Sequence, residues 1–551
     1  MTKKGTRSLL LLVMTWMLVA LACGFGGSSG PPRNAATVTV TANSSLTPWL
    51  TEAAAAFNRS AQRTSNRQTA YVVLESVEAG RAVNQMVDSG NTPTIWIPDH
   101  EIWAALLAAE GQPAFQGDCR SLAESPLVIA MWRPVAESLG WPGLPLGWLD
   151  IGSLAADPDS WAYYSGGEYG DTLRLGHAHP GLSGSGASAL LALVQAAQAK
   201  TEAVTVADIE QPIVQASVGA FQAAVSWFSP NVDSLGQTMQ ERGISYLGAA
   251  VMYENVALTY GDGDPEIIPI YPLEGTFMAT HPACLNNNAA GSVREAANLF
   301  RDYLLSEEGQ QLAVAHGLRP VSSAVPIGAP LVPERGVDLN QPAILFAAPT
   351  VETLYAVQEL WQSARKKVNL VMLLDTSGSM RGEPMESMRR SAIQFVNQMS
   401  ADDFLTIITF DTSPTLVVEN AQVGPNRSDI VRLIEELRAN GYTALYDAIG
   451  DGAEVIARTT SPETTNVLVV LTDGMDTSST RYRFDQQLFE LAAADETTVF
   501  TIAYGRDADE QLMSDLALRT NGNFYQGDEA SIAAIYEEMA AAFGGAMGVG
   551  R

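Results

Sequence analysis

The chain has 551 residues, 46% of them apolar and 17% charged, with 61 acidic side chains against 32 basic ones and a formal net charge of -29. At about 100–200 residues per domain, this describes two to four folded domains and excludes a disordered chain. The negative charge disfavours charge-driven binding of nucleic acid or of a membrane surface. Three cysteines and five histidines exclude a disulfide scaffold and a four-cysteine zinc site.

Lys3, Lys4 and Arg7 precede an apolar stretch at 9–22 that ends at Cys23 and runs into a Gly/Ser/Pro tether. This is the layout of an export signal. A 9–22 helix would rise about 21 Å, short of the roughly 30 Å hydrocarbon core, so cleavage is favoured over a membrane helix. Val19-Ala20-Leu21-Ala22-Cys23 resembles the lipobox of bacterial lipoproteins, with alanine at 20 where that family usually has leucine. The resemblance implies a signal peptide at 1–22, a lipidated Cys23, a tether at 23–36 and an extracytoplasmic protein held to the bacterial cell membrane by lipid only. Ordinary signal cleavage beside an incidental cysteine is the other reading.

From 37 to 330, strand and helix patterns alternate with Gly/Pro punctuation, predicting an α/β domain with mostly parallel sheets. Strands are predicted at 37–41, 71–74 and 94–97, and helices at 48–57, 80–87 and 102–109. The layout resembles the type II periplasmic solute-binding proteins, two α/β lobes with a ligand between them. Thr39-Val40-Thr41-Ala42-Asn43-Ser44-Ser45-Leu46-Thr47 is similar to the first strand and loop of the molybdate-binding branch, and 93–99 to its third strand. Crossovers are expected at 125–130 and 267–275, and a late helix at 304–310. Cys119 and Cys284 fall beside these crossovers and are either bridged or two buried thiols.

Residues 331–365 read as a linker with a bridging helix after Pro342, and 366–551 as a second domain. Continuous apolar runs at 368–374, 405–410, 467–471 and 499–503 fit strands covered on both faces. Helices are predicted at 383–399, 428–439, 444–458, 484–493 and 508–519. This is a doubly wound, mostly parallel order, in which ligands gather at the carboxyl ends of the strands.

Asp375-Thr376-Ser377-Gly378-Ser379 follows the first of these strands, Thr443 opens a helix, and Asp473 ends a strand. Two carboxylates and three hydroxyls, with neither histidine nor thiolate, suit a hard divalent cation: Mg2+ first, with Mn2+ or Ca2+ compatible. The pattern resembles the metal-ion-dependent adhesion site of von Willebrand factor A-like domains. That resemblance implies that Asp375, Ser377, Ser379, Thr443 and Asp473 ligate the ion, directly or through water, and leave a position for an acidic side chain of a protein partner. Asp451 and Asp476 read as solvated.

A second constellation is His179-Pro180-Gly181-Leu182-Ser183-Gly184-Ser185 ahead of a helix. A glycine-rich helix start is an anion seat. By the molybdate-binding resemblance, Ser44, Ser45, Ser183, Gly184, Ser185 and Tyr253 would clamp a small solute, an oxyanion in that branch. Glu254, and Glu78 at a helix start, add negative charge against an anion. Capped helices lining a merely structural cleft are the other reading. His177 and His179 read as loop residues, and Trp96, Trp103, Trp141, Trp148 and Trp161 as core.

The Gly-x-Ser-x-Gly pattern occurs only at 26–30, in the tether rather than as an elbow between strand and helix, and no cysteine–histidine motif or phosphate-binding P-loop occurs, so binding is expected rather than catalysis. The expectations are metal-dependent capture of a protein partner combined with solute binding, a solute receptor of an ABC-type importer with an accessory metal domain, or an assembly factor that recruits a motor ATPase.

Overall fold

The computed structural model describes residues 30–544 apart from 506, 529 and 530. Cys23 and the export segment lie outside the described residues. The first sheet holds β1 (Ala35–Ala42), β2 (Thr69–Ser76), β3 (Ile95–Ile97) and β4 (Cys119–Ser121). After one intervening residue, the chain enters a second sheet through β5 (Ala123–Trp132), followed by β6 (Leu175–Ala178), β7 (Val225–Ser229), β8 (Ala249–Tyr253), β9 (Ile267–Ile270) and β10 (Met278–Ala279). It returns through β11 (Pro282–Leu285), which pairs antiparallel with β3 and β4, while β12 (Arg319–Pro320) pairs with β5.

The orders are β2-β1-β3-β11-β4 in the first lobe and β10-β5-β8-β6-β7 in the second, with β9 and β12 also on β5. The stretch expected to cross back at 267–275 therefore stays in the second lobe, because β9 pairs with β5. The crossing falls at β11. Cys284 faces Cys119 across the β11–β4 ladder, and the two form a disulfide. The expected helix at 304–310 is divided between Gly291–Leu304 and Glu307–Ala315, because the Ser306 hydroxyl accepts the Gly309 N–H and caps a new helix.

The bridging helix is Val351–Ala364, started by Thr350 and well past Pro342. It is no free linker. Leu354, Val357 and Trp361 are buried in the core of the second lobe, with the Trp361 ring edge-on to His179 and Phe228. Tyr355 donates to Glu110, which ends the Ile102–Ala109 helix of the first lobe.

The C-terminal sheet comprises β13 (Lys367–Asp375), β14 (Phe404–Phe410), β15 (Pro414–Gln422), β16 (Thr464–Thr472), β17 (Thr498–Tyr504) and β18 (Phe524–Gly527), ordered β15-β14-β13-β16-β17-β18. All neighbours are parallel except β15, an antiparallel edge. Its two faces carry separate apolar cores, as the uninterrupted hydrophobic strands require. Strands β15 and β18 and the Ile532–Ala542 helix have no counterpart among the sequence expectations. Val368, Val467 and Phe500, near the amino ends of their strands, face Val225 and Phe228 of the second lobe. The Arg242 guanidinium donates to the Gly522 carbonyl at 2.8 Å. The carboxyl ends of the strands therefore point away from the N-terminal domain.

Candidate functional site

Strand order reverses between β13 and β16, and in doubly wound sheets it is at the carboxyl ends of such strands that ligands gather. Asp375 ends β13 and is fully buried. One of its carboxylate oxygens accepts the Ser377 N–H at 2.8 Å and the other the Thr472 hydroxyl at 2.5 Å. The Ser377 and Ser379 hydroxyls lie 2.9 Å apart, and Ser379 donates to Asp473 at 2.7 Å. Thr443 is buried on the facing loop, its backbone N–H bound by the Thr477 hydroxyl. A Cβ placed on Gly474 would lie 3.9 Å from the Thr443 hydroxyl, which puts Thr443 beside the loop of Asp473.

Backbone bonds fix the three loops to one another. Gly378 N–H donates to Gly441 O at 3.1 Å and Asn440 N–H to Thr376 O at 2.7 Å. Gly441 has φ 76, and a Cβ there would meet the Thr412 hydroxyl at 2.5 Å, so both conformation and space require glycine. The structure thus brings Asp375, Ser377, Ser379, Thr443 and Asp473 to one crest, graded from the buried Asp375 floor to the exposed Ser379 rim.

Burial lifts the Asp375 carboxyl to about 6, against the hydrogen bonds from Thr472 and Ser377 and with the help of the Asp473 charge. Burial also raises Asp473, against the Ser379 bond. Two desolvated carboxylates beside three hydroxyls form an oxygen donor set that a hard dication satisfies. Tyr442 and Met475, 67% and 60% exposed, flank the crest on the loops of Thr443 and Asp473.

Two acids read as solvated have defined work. Asp476 accepts the Tyr446 N–H and the Ser479 hydroxyl, while Asp451 pairs with Arg481 at 2.6 Å. Asp447, absent from the sequence expectations, accepts the backbone N–H groups of Thr480, Arg481 and Tyr482 and ties down the loop after Asp473. Its signal was an acid in the first turn of a helix, where it faces the unpaired N–H end.

The N-terminal cleft also gathers its expected residues, but around the protein's own acids. Ser44 donates to Glu78, and Asn43 donates to the same carboxylate at 3.2 Å. Val232 N–H, opening the Val232–Arg242 helix of the other lobe, reaches it at 3.3 Å, and Ser183 also hydrogen-bonds it. Hydroxyls assigned to an oxyanion by resemblance therefore hold Glu78. Ser185 bonds Ser183 at 3.0 Å, and Ser45 offers its backbone carbonyl to Asn255 at 2.8 Å.

Tyr253 stands at the end of β8, opposite Leu127 of β5 rather than beside the 267–275 stretch, and donates to Asp99 at 2.7 Å. A Cβ on Gly184 would meet the Asp99 carboxylate at 2.1 Å, so this glycine makes room for the acid. Burial raises Asp99 to about 7, Tyr253 opposing and the Glu78 charge adding. The charge expected from Glu254 is neutralised by Arg319, which grips it through two nitrogens at 2.7 and 2.6 Å. His177 lies in a buried strand, its ring nitrogens on Ala178 O and Gln222, and His179 is buried and accepts the Gly181 N–H. Trp96, Trp103, Trp148 and Trp161 are fully buried.

Two α/β lobes closed on a cleft, continued by a doubly wound sheet with an oxygen-lined crest, define a two-domain binding protein. The chain belongs to the bacterial extracellular solute-binding protein family, whose model matches residues 38–319, and residues 369–538 match the von Willebrand factor type A domain. The chain is 30% identical over 159 residues to the uncharacterized protein sll0103 of Synechocystis sp., covering 29% of this chain and 37% of that protein. It is 25% identical over 185 residues to inter-alpha-trypsin inhibitor heavy chain H3 of Mus musculus, covering 31% and 21%. It thus spans well under half the length of these curated relatives. Among solved structures, the periplasmic binding protein AfuA of Actinobacillus pleuropneumoniae, with fructose-6-phosphate bound, is similar at a TM-score of 0.42 and 14% identity, over 61% of this chain and 98% of that one. Among the described residues, no helix is long and apolar enough to cross a membrane.

Proposed function

We propose that this chain is a lipid-anchored extracytoplasmic binding protein, without catalytic activity of its own. Its C-terminal domain would hold a divalent cation, Mg2+ first, on Asp375, Ser377, Ser379, Thr443 and Asp473. The ion's remaining position takes an acidic side chain of a protein partner. The carrying observation is the convergence of these five residues on a crest that opens to solvent, where, among the described residues, the two carboxylates take their hydrogen bonds from hydroxyls and a backbone N–H. Tyr442 and Met475 supply apolar contact around that charge. The lipid anchor rests on Cys23 and the lipobox-like run before it.

Calorimetric titration of the full chain with Mg2+, followed by capture of crosslinked partners from intact cells with and without EDTA, tests the proposal. The expected result is saturable Mg2+ binding and a partner captured only in its presence, both lost in Asp375→Ala. A partner retained at equal yield in EDTA, or in folded Asp375→Ala, overturns it.

A further inference from the structure

The cleft of the N-terminal domain has the makings of an anion seat. The donors come from both lobes: the Asn43 amide and Ser44 hydroxyl from the loop after β1, the Ser183 hydroxyl ahead of the Gly184–Gln198 helix, and the Val232 N–H at the start of another helix. Two hydroxyls, an amide and a helix-terminal N–H suit a carboxylate or a tetrahedral oxyanion. The group at their focus is the carboxylate of Glu78, a residue that is itself 3% exposed.

We propose that Glu78 is a built-in ligand: its carboxylate fills the interlobe anion seat and holds the lobes together, so that the cleft accepts a free oxyanion only when this side chain is removed. Closure is direct around it. The Gly80 and Arg81 N–H groups donate to Leu182 O at 2.9 and 3.1 Å, joining the helix start that carries Glu78 to the opposite lobe. Gly80 permits this approach, since a Cβ there would stand 2.4 Å from Gly181 O. Asp233 N–H reaches the Ser44 hydroxyl at 3.4 Å, and Asn255 reaches Ser45 O. Asp99 repeats the arrangement, sent from the first lobe to Tyr253 and Gly184 of the second. The Val351–Ala364 helix then straddles both lobes, Tyr355 on Glu110 and Trp361 on His179 and Phe228. A sulfate entering the cleft would have to compete with Glu78 for every donor and approach a second acid.

The test uses the full chain, with inorganic sulfate and acetate as probes and chloride at matched ionic strength as reference. Wild-type protein is expected to show no saturable binding of either anion by calorimetry. Glu78→Ala is expected to lose thermal stability and to regain it with acetate or sulfate, binding one or both about tenfold or more tightly than wild type. Saturable sulfate binding by wild type overturns the proposal, as does a folded Glu78→Ala with no gained anion affinity. If Glu78→Ala does not fold, Glu78→Gln decides: a lowered unfolding midpoint with a larger radius of gyration supports the proposal, and values equal to wild type overturn it.

Discussion

The interlobe cleft and the C-terminal crest are built from the same kinds of residue, two acids among serines and threonines, both buried in the cleft and one buried and one half-buried on the crest, yet they are poised in opposite senses. In the cleft, Glu78 meets Asn43, Ser44, Ser183 and the Val232 N–H, and Asp99 meets Tyr253. Donors from both lobes satisfy acids that belong to the first. On the crest, Ser377, Ser379 and Asp473 form a chain of oxygens with each other, and Asp375 is held by the Ser377 N–H and by the Thr472 and Ser377 hydroxyls. What separates an anion seat from a cation seat is the balance of donors to acceptors, and that is set by which loops meet.

The comparison breaks first if the two regions are not independent. Replacing both Cys119 and Cys284 with serine removes a link across 165 residues, which should cost the N-terminal domain about 2–5 kcal/mol in chemical denaturation. Mg2+ affinity on the crest should not change. A matching loss of Mg2+ affinity would show that the crest depends on the lobes.

A smaller change probes the close approach of the lobes. Gly80→Ala forces a Cβ against Gly181 O and should destabilise the N-terminal domain by about 1–3 kcal/mol, read from its unfolding midpoint. An unchanged midpoint would mean that the lobes separate freely there.

The smallest effect is one of pH. Asp99 and Asp375 have folded values of about 7 and about 6, above the ordinary 3.8. The native state therefore keeps these protons after the unfolded chain has lost them, and the stability they contribute falls as pH rises through the interval. Metal-free protein should lose stability between about pH 4 and 7 on account of these groups. Asp99→Asn should flatten the upper part of that fall. Mg2+ should stabilise the protein more at about pH 7.5 than at about pH 5, where Asp375 is protonated. Equal Mg2+ stabilisation at both values would contradict a raised Asp375.

The crest was legible because its chemistry is local: Asp375, Ser377 and Ser379 sit on alternate residues after an apolar strand, and Asp473 follows another. Even so, the support from Thr472 and Asp447 was not, since each reaches a neighbour far along the chain. The cleft was half legible. Ser44, Ser183 and Tyr253 were recognisable as cleft residues, and Glu78 as an acid where a hydroxyl was expected. That Glu78 takes the seat itself depends on the lobes closing until Gly80 touches Leu182, a distance no spacing encodes.

Strand periodicity, apolar runs and the order of strands and helices determined the two-domain α/β architecture, because burial on both faces of a parallel sheet leaves a direct imprint on sequence. The placement of the return crossing at β11, the pairing of Cys119 with Cys284, the neutralisation of Glu254 by Arg319 and the seating of Val351–Ala364 across both lobes were decided only in three dimensions. Each joins segments distant in sequence, and such pairings depend on which surfaces meet once the elements have formed.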